Sequence, residues 1–196
     1  MELTPLGIEG AWLAESPVWK DDRGFFREWF KSERIEQVLG RDFNVEQANI
    51  SSSSKGTVRG IHYSLAVKGQ AKWVTCVSGL IKDVIVDIRP SSKTYGKWIE
   101  VELSGTSGNA VLISEGLGHG FVCLAEVSTV AYLMSSPFSQ SEEFEINPLD
   151  QAIGINWGLP LTELKISDKD KNAPTLQERK KEEKLPLEND GLASVF

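Results

Sequence analysis

The stretch Thr57-Val-Arg-Gly-Ile-His-Tyr63, followed closely by Gln70-Ala-Lys-Trp73, concentrates three groups that handle protons and anions: Arg59, His62 and Lys72. A histidine can take up a proton and return it near neutral pH, because an unperturbed imidazole titrates at ~6.5. Arginine and lysine suit phosphate oxygens or a developing oxyanion. Taken singly, each has an ordinary structural reading: Arg59 and Lys72 as solvated surface groups, His62 as a satisfied polar residue. Strict strand alternation would send Arg59 and His62 to opposite faces. Gly60 stands between them and could admit a bulge that brings both to one face. Spacing alone leaves the two arrangements open.

The rest of the inventory excludes several chemistries. His62 and His119 are the only histidines, and Cys76 and Cys123 the only cysteines. A metal centre built on several imidazoles or thiolates has little to draw on, so no metal is expected. Both cysteines lie in apolar runs and read as buried, reduced thiols. No G-x-S-x-G elbow and no Walker A sequence occurs. Gly116-Leu-Gly-His-Gly-Phe121 is glycine-rich, but its last position is Phe and its flanks read as strands, so it carries little weight as a dinucleotide loop. Lys and Arg number 21 against 28 Asp and Glu, a net charge of −7, which argues against a nucleic-acid partner. No apolar run approaches the ~20 residues that span a bilayer. Met1–Glu15 lacks the basic start of a secretory leader. A cytoplasmic protein without membrane association is expected.

The elements that must position these groups are strands. From about residue 44 to 157 the chain is written in short β-branched and aromatic runs. Examples are Trp73-Val-Thr-Cys-Val77, Asp83-Val-Ile-Val-Asp87, Trp98-Ile-Glu-Val-Glu-Leu103, Ala110-Val-Leu-Ile113 and Ser128-Thr-Val-Ala-Tyr-Leu133. Turn signals separate them at Ser78-Gly79, Pro90-Ser-Ser92, Ser104-Gly-Thr-Ser-Gly108 and Gly116-Leu-Gly118. That rhythm predicts an all-β sandwich or barrel, with a double-stranded jelly roll preferred. Residues 98–103 alternate cleanly, as a half-buried strand does; 83–87 do not. Helices are few and short. Lys31–Leu39 is an amphipathic candidate opened by Ser32 and closed by Gly40. The charged tail Thr175–Lys184 reads as a solvated helix or a loose end. One domain is expected over 1–196, with its core at 44–157 and a C-terminal segment at 158–196.

Seven motifs occur in order: Asp22-Arg-Gly-Phe25, Arg59-Gly-Ile-His-Tyr63, Gln70-Ala-Lys72, Asp83-Val-Ile-Val-Asp-Ile-Arg89, Gly118-His-Gly-Phe121, Val130-Ala-Tyr132 and Ser167-Asp-Lys-Asp170. Together they resemble the dTDP-4-dehydrorhamnose 3,5-epimerase family, from about residue 5 to Leu176. The resemblance implies a cupin-type jelly roll, usually a homodimer, that works without metal or other cofactor on a dTDP-4-keto-6-deoxy sugar. It implies His62 as base, Asp170 as the carboxylate that orients it, Tyr132 as the acid on the opposite face, and Lys72 against the O4 anion. Arg23 and Arg59 would clamp the diphosphate. Phe26, Glu28, Gln47 and Asn49 would hold the nucleoside, part of that set coming from the neighbouring chain. His119 would line the pocket or back another residue, with Asp83 the candidate partner.

Two positions depart from the family pattern. Asn156 stands where Asp is common, and a structural effect at most is expected. Phe138 stands where a Tyr near the sugar is expected, which bears on whether C3, C5 or both are inverted. Alternatives to a two-centre epimerase are a single-centre epimerase, a nucleotide-sugar ketoisomerase of the same fold, and a non-catalytic sugar-binding jelly roll. An acid and a base on opposite faces would argue against mere binding.

Overall fold

The computed structural model describes residues 1–186, so 187–196 of the expected domain lie outside the description. Two antiparallel sheets face each other. The first runs in the order β1 (Glu2–Pro5), β2 (Ala11–Glu15), β10 (Ala110–Ile113), β7 (Lys72–Ser78), β12 (Val127–Met134), β5 (Gln47–Ser54). The second runs β13 (Glu143–Glu145), β6 (Thr57–Ser64), β11 (Leu117–Cys123), β8 (Leu80–Asp87), β9 (Trp98–Ser104). The chain changes sheet at each of the turns β5–β6, β7–β8, β9–β10 and β11–β12, which is the jelly-roll path. A separate hairpin, β3 (Trp19–Asp21) with β4 (Gly24–Phe26), stands outside both sheets. The strand text read from 44 to 157 is thus extended by β1 and β2 before it.

The inner faces meet in one apolar layer of Val74, Cys76, Ile81, Ile85, Val111, Ile113, Phe121 and Val130. The poor alternation of 83–87 has a simple cause. Ile81 and Ile85 point into that layer, while Val84 and Val86 are covered from outside by a second apolar layer. A strand buried on both faces has no reason to alternate. β9, an edge strand with one wet face, does alternate.

Each outer face carries a cover. Over the first sheet lies α1 (Ser32–Leu39), whose Ile35 joins Trp73, Leu112 and Phe43 in a buried cluster. Gly40 ends this helix in the left-handed region at φ 67° and donates its N–H to the Glu36 carbonyl. Ser32 is the first helical residue rather than the cap; Lys31 holds the cap position and gives no side-chain hydrogen bond.

The second sheet is covered by the C-terminal segment. β14 (Lys165–Ile166) pairs in parallel with β6, then α2 (Asp168–Lys171) and α3 (Leu176–Lys181) follow. The tail is no loose end. Thr175 and Glu178 close a capping box at the start of α3, and Leu176 and Arg179 are buried. Arg179 Nε donates to the Glu145 carbonyl at 2.9 Å, and the Tyr63 hydroxyl donates to the Lys184 carbonyl. The charged face hid an anchored helix because a guanidinium buries its stem while its head finds backbone oxygen. Asn156 has a local role: its Oδ1 accepts the Gly158 N–H at 2.9 Å.

Candidate active site

Alternation along the strands decides which side chains enter the space between the sheets. On β7, Val74 and Cys76 lie in the inter-sheet layer and Trp73 on the outside, so Lys72 points inward. The same logic turns Asp83 on β8, His119 on β11 and Tyr132 on β12 inward. Asn49 is the direct partner of Tyr132 across β5 and β12 and shares its face.

β6 breaks the rule, and it does so at the decisive place. His119 pairs with His62, but Phe121 pairs with Arg59, so three steps on β6 oppose two on β11. Val58, Ile61 and Tyr63 all join the outer layer. Arg59 and His62 therefore share the inner face. Gly60, at φ 122°, makes this bulge possible: a Cβ there would lie 2.5 Å from Gly120 Cα and 2.7 Å from the His119 carbonyl oxygen.

The charged groups then fall into pairs. His62 Nε2 lies 2.7 Å from Asp170 Oδ1. Asp170 arrives from outside the sheets on α2, where the Ser167 hydroxyl accepts its backbone N–H. Burial pushes the Asp170 carboxyl up, but the His62 contact, Ser167 and Lys169 together hold it below the usual carboxylate range. A second dyad joins His119 Nε2 to Asp83 Oδ2 at 2.8 Å. Arg59 Nε donates to the Ser53 hydroxyl at 3.1 Å. On the facing sheet, burial raises the Tyr132 phenol, with Glu143 adding to the rise and Arg59 opposing it. Tyr132 thus keeps its proton at neutral pH. Burial pushes the Lys72 ammonium down, with Glu143 and Asp83 pulling it back.

Gln47 Nε2 donates to Asn49 Oδ1, and Gln47 Oε1 accepts the Phe138 N–H at 2.7 Å. Phe138 itself sits after β12 with its ring more than half exposed. Arg23, Phe26 and Glu28 are elsewhere. Arg23 and Phe26 stand on the exposed β3–β4 hairpin, where Arg23 pairs with its neighbour Asp21, and Phe26 packs on Trp19. Glu28 follows, also exposed. Within one chain none of these three joins the groups between the sheets.

Glu143 was not singled out from the sequence. Its carboxylate accepts from Gln70 Nε2 at 2.9 Å and acts electrostatically on both Lys72 and Tyr132. It lies in a three-residue strand within an acidic run, where no spacing marks it. Ser51, inward-facing beside Asn49, has a buried hydroxyl with no partner among the described residues.

The fold is a cupin-like jelly roll that carries a carboxylate-backed imidazole on one inner wall and a protonated phenol on the other, groups able to take and give protons. The comparisons with known proteins give the class its place. Residues 5–178 match the family model described as dTDP-4-dehydrorhamnose 3,5-epimerase. A dTDP-4-dehydro-6-deoxyglucose 3-epimerase of a Streptomyces species is 45% identical over 172 residues, 88% of this chain and 87% of the relative. A dTDP-4-dehydrorhamnose 3,5-epimerase of Mycolicibacterium smegmatis is 41% identical over 195 residues, covering 100% of this chain and 96% of the relative. The crystal structure of a 4-keto-6-deoxy sugar epimerase from the novobiocin cluster of Streptomyces spheroides superimposes with a TM-score of 0.93 at 40% identity, covering 97% of this chain and 94% of that one. The chain belongs to the dTDP-4-dehydrorhamnose 3,5-epimerase family.

Proposed function

We propose that the protein epimerises a dTDP-4-keto-6-deoxyhexose in deoxysugar biosynthesis. The observation that carries this reading is the His62–Asp170 pair on the second sheet facing Tyr132 on the first. The C4 ketone acidifies the hydrogens on C3 and C5. His62 removes one of them, and the C–H electron pair becomes the enolate double bond while charge collects on O4. Asp170 holds the ring and stabilises the imidazolium that forms. Lys72 meets the O4 oxyanion, where fixed charge lowers the barrier most. Tyr132 then delivers its proton to the opposite face of the same carbon, which inverts the centre. Solvent restores the Tyr132 proton and takes the one on His62.

Arg59 takes the diphosphate, Gln47 and Asn49 the nucleoside, and His119 lines the sugar pocket beside them. Arg23, Phe26 and Glu28 complete the site from the neighbouring chain of a homodimer. The exposure of the β3–β4 hairpin and of Glu28 just after it supports that assignment, since an isolated chain would leave Trp19, Phe25 and Phe26 in water. The enzyme works in the cytoplasm, needing neither metal nor other cofactor. Incubation with dTDP-4-keto-6-deoxyglucose in deuterated water, followed by NMR, tests the whole reading. Deuterium should enter at C3 or C5 with inversion. A substrate recovered without deuterium would overturn it.

A further inference from the structure

The space between the sheets holds one carboxylate for which the proposed chemistry has no direct use. Asp83 is fully buried on β8. Its Oδ2 is engaged by His119 at 2.8 Å, but Oδ1 is buried without any hydrogen-bond partner among the described residues. A carboxylate oxygen in that condition is costly unless a positive charge stands near enough to compensate. Lys72 is the matching case. It is buried on β7 and takes part in none of the ion pairs, drawn at 4.0 Å, among the described residues. Each is among the charged neighbours that the other feels: burial pushes the Asp83 carboxyl up, and His119 first and Lys72 after it favour its charged form.

The titratable and charged groups that face the same inter-sheet space as Lys72 are Asp83 on β8, His119 on β11, Arg59 and His62 on β6 and Tyr132 on β12, and Glu143 on β13 also acts on it. Only Glu143 and Asp83 favour its ammonium form, and of the two Glu143 acts the more strongly in this conformation. Glu143 is partly exposed and already accepts a hydrogen bond from Gln70. Solvent can screen it, and it can turn away. Asp83 can do neither, since His119 pins it and no water surface reaches it.

We propose that Asp83 is a positioning residue for Lys72: its free Oδ1 is the fixed counter-charge that keeps the lysine ammonium charged and turned into the space between the sheets, while His119 anchors the other oxygen. The separation matters. A direct ion pair would occupy the ammonium protons in the ground state, whereas a carboxylate beyond contact distance holds the charge and leaves the protons for an incoming oxyanion. This rests on the reading of Lys72 as the group that meets O4.

The test is titration of Lys72 in ligand-free protein labelled with [ε-13C]lysine, its resonance assigned by loss in Lys72→Arg. Asp83→Asn keeps the shape and removes the charge. It should lower the Lys72 midpoint by at least one pH unit, a tenfold change in ionisation, and by more than Glu143→Gln does. The alkaline limb of kcat should move down by the same amount, with KM changed less than threefold and the thermal midpoint held within a few degrees. An unmoved Lys72 midpoint in Asp83→Asn, or a larger displacement in Glu143→Gln, overturns the proposal. A displaced midpoint with an unmoved kcat limb upholds the coupling and removes Lys72 from the oxyanion role. Should Asp83→Asn fail to fold, the reciprocal measurement decides. Lys72→Met should raise the pH at which the protonated Asp83 carbonyl band appears in the infrared, and an unchanged band would count against the coupling.

Discussion

His62 and His119 are direct partners across β6 and β11, yet each imidazole turns to a different carboxylate: Asp170 at 2.7 Å for the first, Asp83 at 2.8 Å for the second. The two dyads differ in origin. Asp83 belongs to the same sheet, whereas Asp170 lies 108 positions from His62 and enters on the C-terminal cover. The division matches the proposed division of labour, in which the base is backed from outside and the electrostatics of the interior are set from within.

The first expectation separates base from acid. His62→Ala should abolish deuterium uptake at both carbons, because nothing removes a proton. Tyr132→Phe should retain exchange but lose net inversion, since only return to the original face remains. Either role is refuted by a Tyr132 variant that inverts normally or a His62 variant that exchanges at the wild-type rate.

Asp170 also ties the site to acid stability. Its folded-state carboxyl sits below the ordinary value, because the His62 contact and its other partners outweigh burial. Such a group contributes stability above the unfolded value of ~3.9, and that contribution disappears as pH falls through the folded value. Asp170→Asn should therefore be less stable than wild type at pH 7, read by urea unfolding. The gap should narrow as pH falls through the folded-state value. A gap that does not change as the solution is acidified would show that the asparagine acts through shape alone. At pH 7 kcat should drop by roughly 10²-fold or more, the scale of acid–base assistance.

How far could these arrangements be read from the residues? The strands could, because β-branched runs and glycine turns are local. The facing of Arg59 and His62 could not. It depends on one extra residue opposite β11, and Gly60 permits that bulge without dictating it. The meeting of His62 with Asp170 is implied by the family resemblance, but its geometry rests on β14 and α2 docking against β6, a long-range event. Glu143 escaped altogether, since Ser141-Glu-Glu-Phe-Glu145 has the composition of a solvated turn. The tail misled for the opposite reason: its buried contacts run through Arg179, whose charge reads as surface.

The arginines give the next expectation, and the structure sharpens it. Arg59→Ala should weaken dTDP binding by about 2–4 kcal/mol, the cost of removing one member of a charge-assisted contact in a partly enclosed site. Arg23→Ala should do the same only if its hairpin serves a second chain. Mixing Arg23→Ala with His62→Ala subunits, each inactive or impaired alone, should then restore one intact site per mixed dimer. Recovery of activity toward half the wild-type level supports the shared site. No recovery in verified mixed dimers argues that each chain uses its own hairpin.

Metal dependence is checked directly. Among the described residues no group of three or more His, Cys, Asp or Glu could hold an ion, and the two imidazoles are each engaged with a carboxylate. Exhaustive chelation should leave kcat unchanged. Loss of activity restored by one specific divalent ion would instead favour a metal-dependent cupin.

Phe138 bears on how many centres invert. In the proposed mechanism one base, His62, reaches C3–H and C5–H in turn, which requires the sugar to shift between two poses. A tyrosine at this position could hold one pose through a hydrogen bond worth roughly 0.5–1.5 kcal/mol. Phenylalanine forfeits that bond, although its backbone N–H keeps the segment fixed to Gln47. The loss biases the partition by up to about tenfold, since ~1.4 kcal/mol is a factor of ten in rate. Exchange is therefore expected at both carbons, with one clearly slower. Phe138→Tyr should narrow the gap, because the residue is more than half exposed. Time-resolved deuterium incorporation reads both rates in a single experiment. Equal rates in the wild type, or a ratio untouched in Phe138→Tyr, would reduce Phe138 to packing and move the question of regiochemistry to other residues between the sheets.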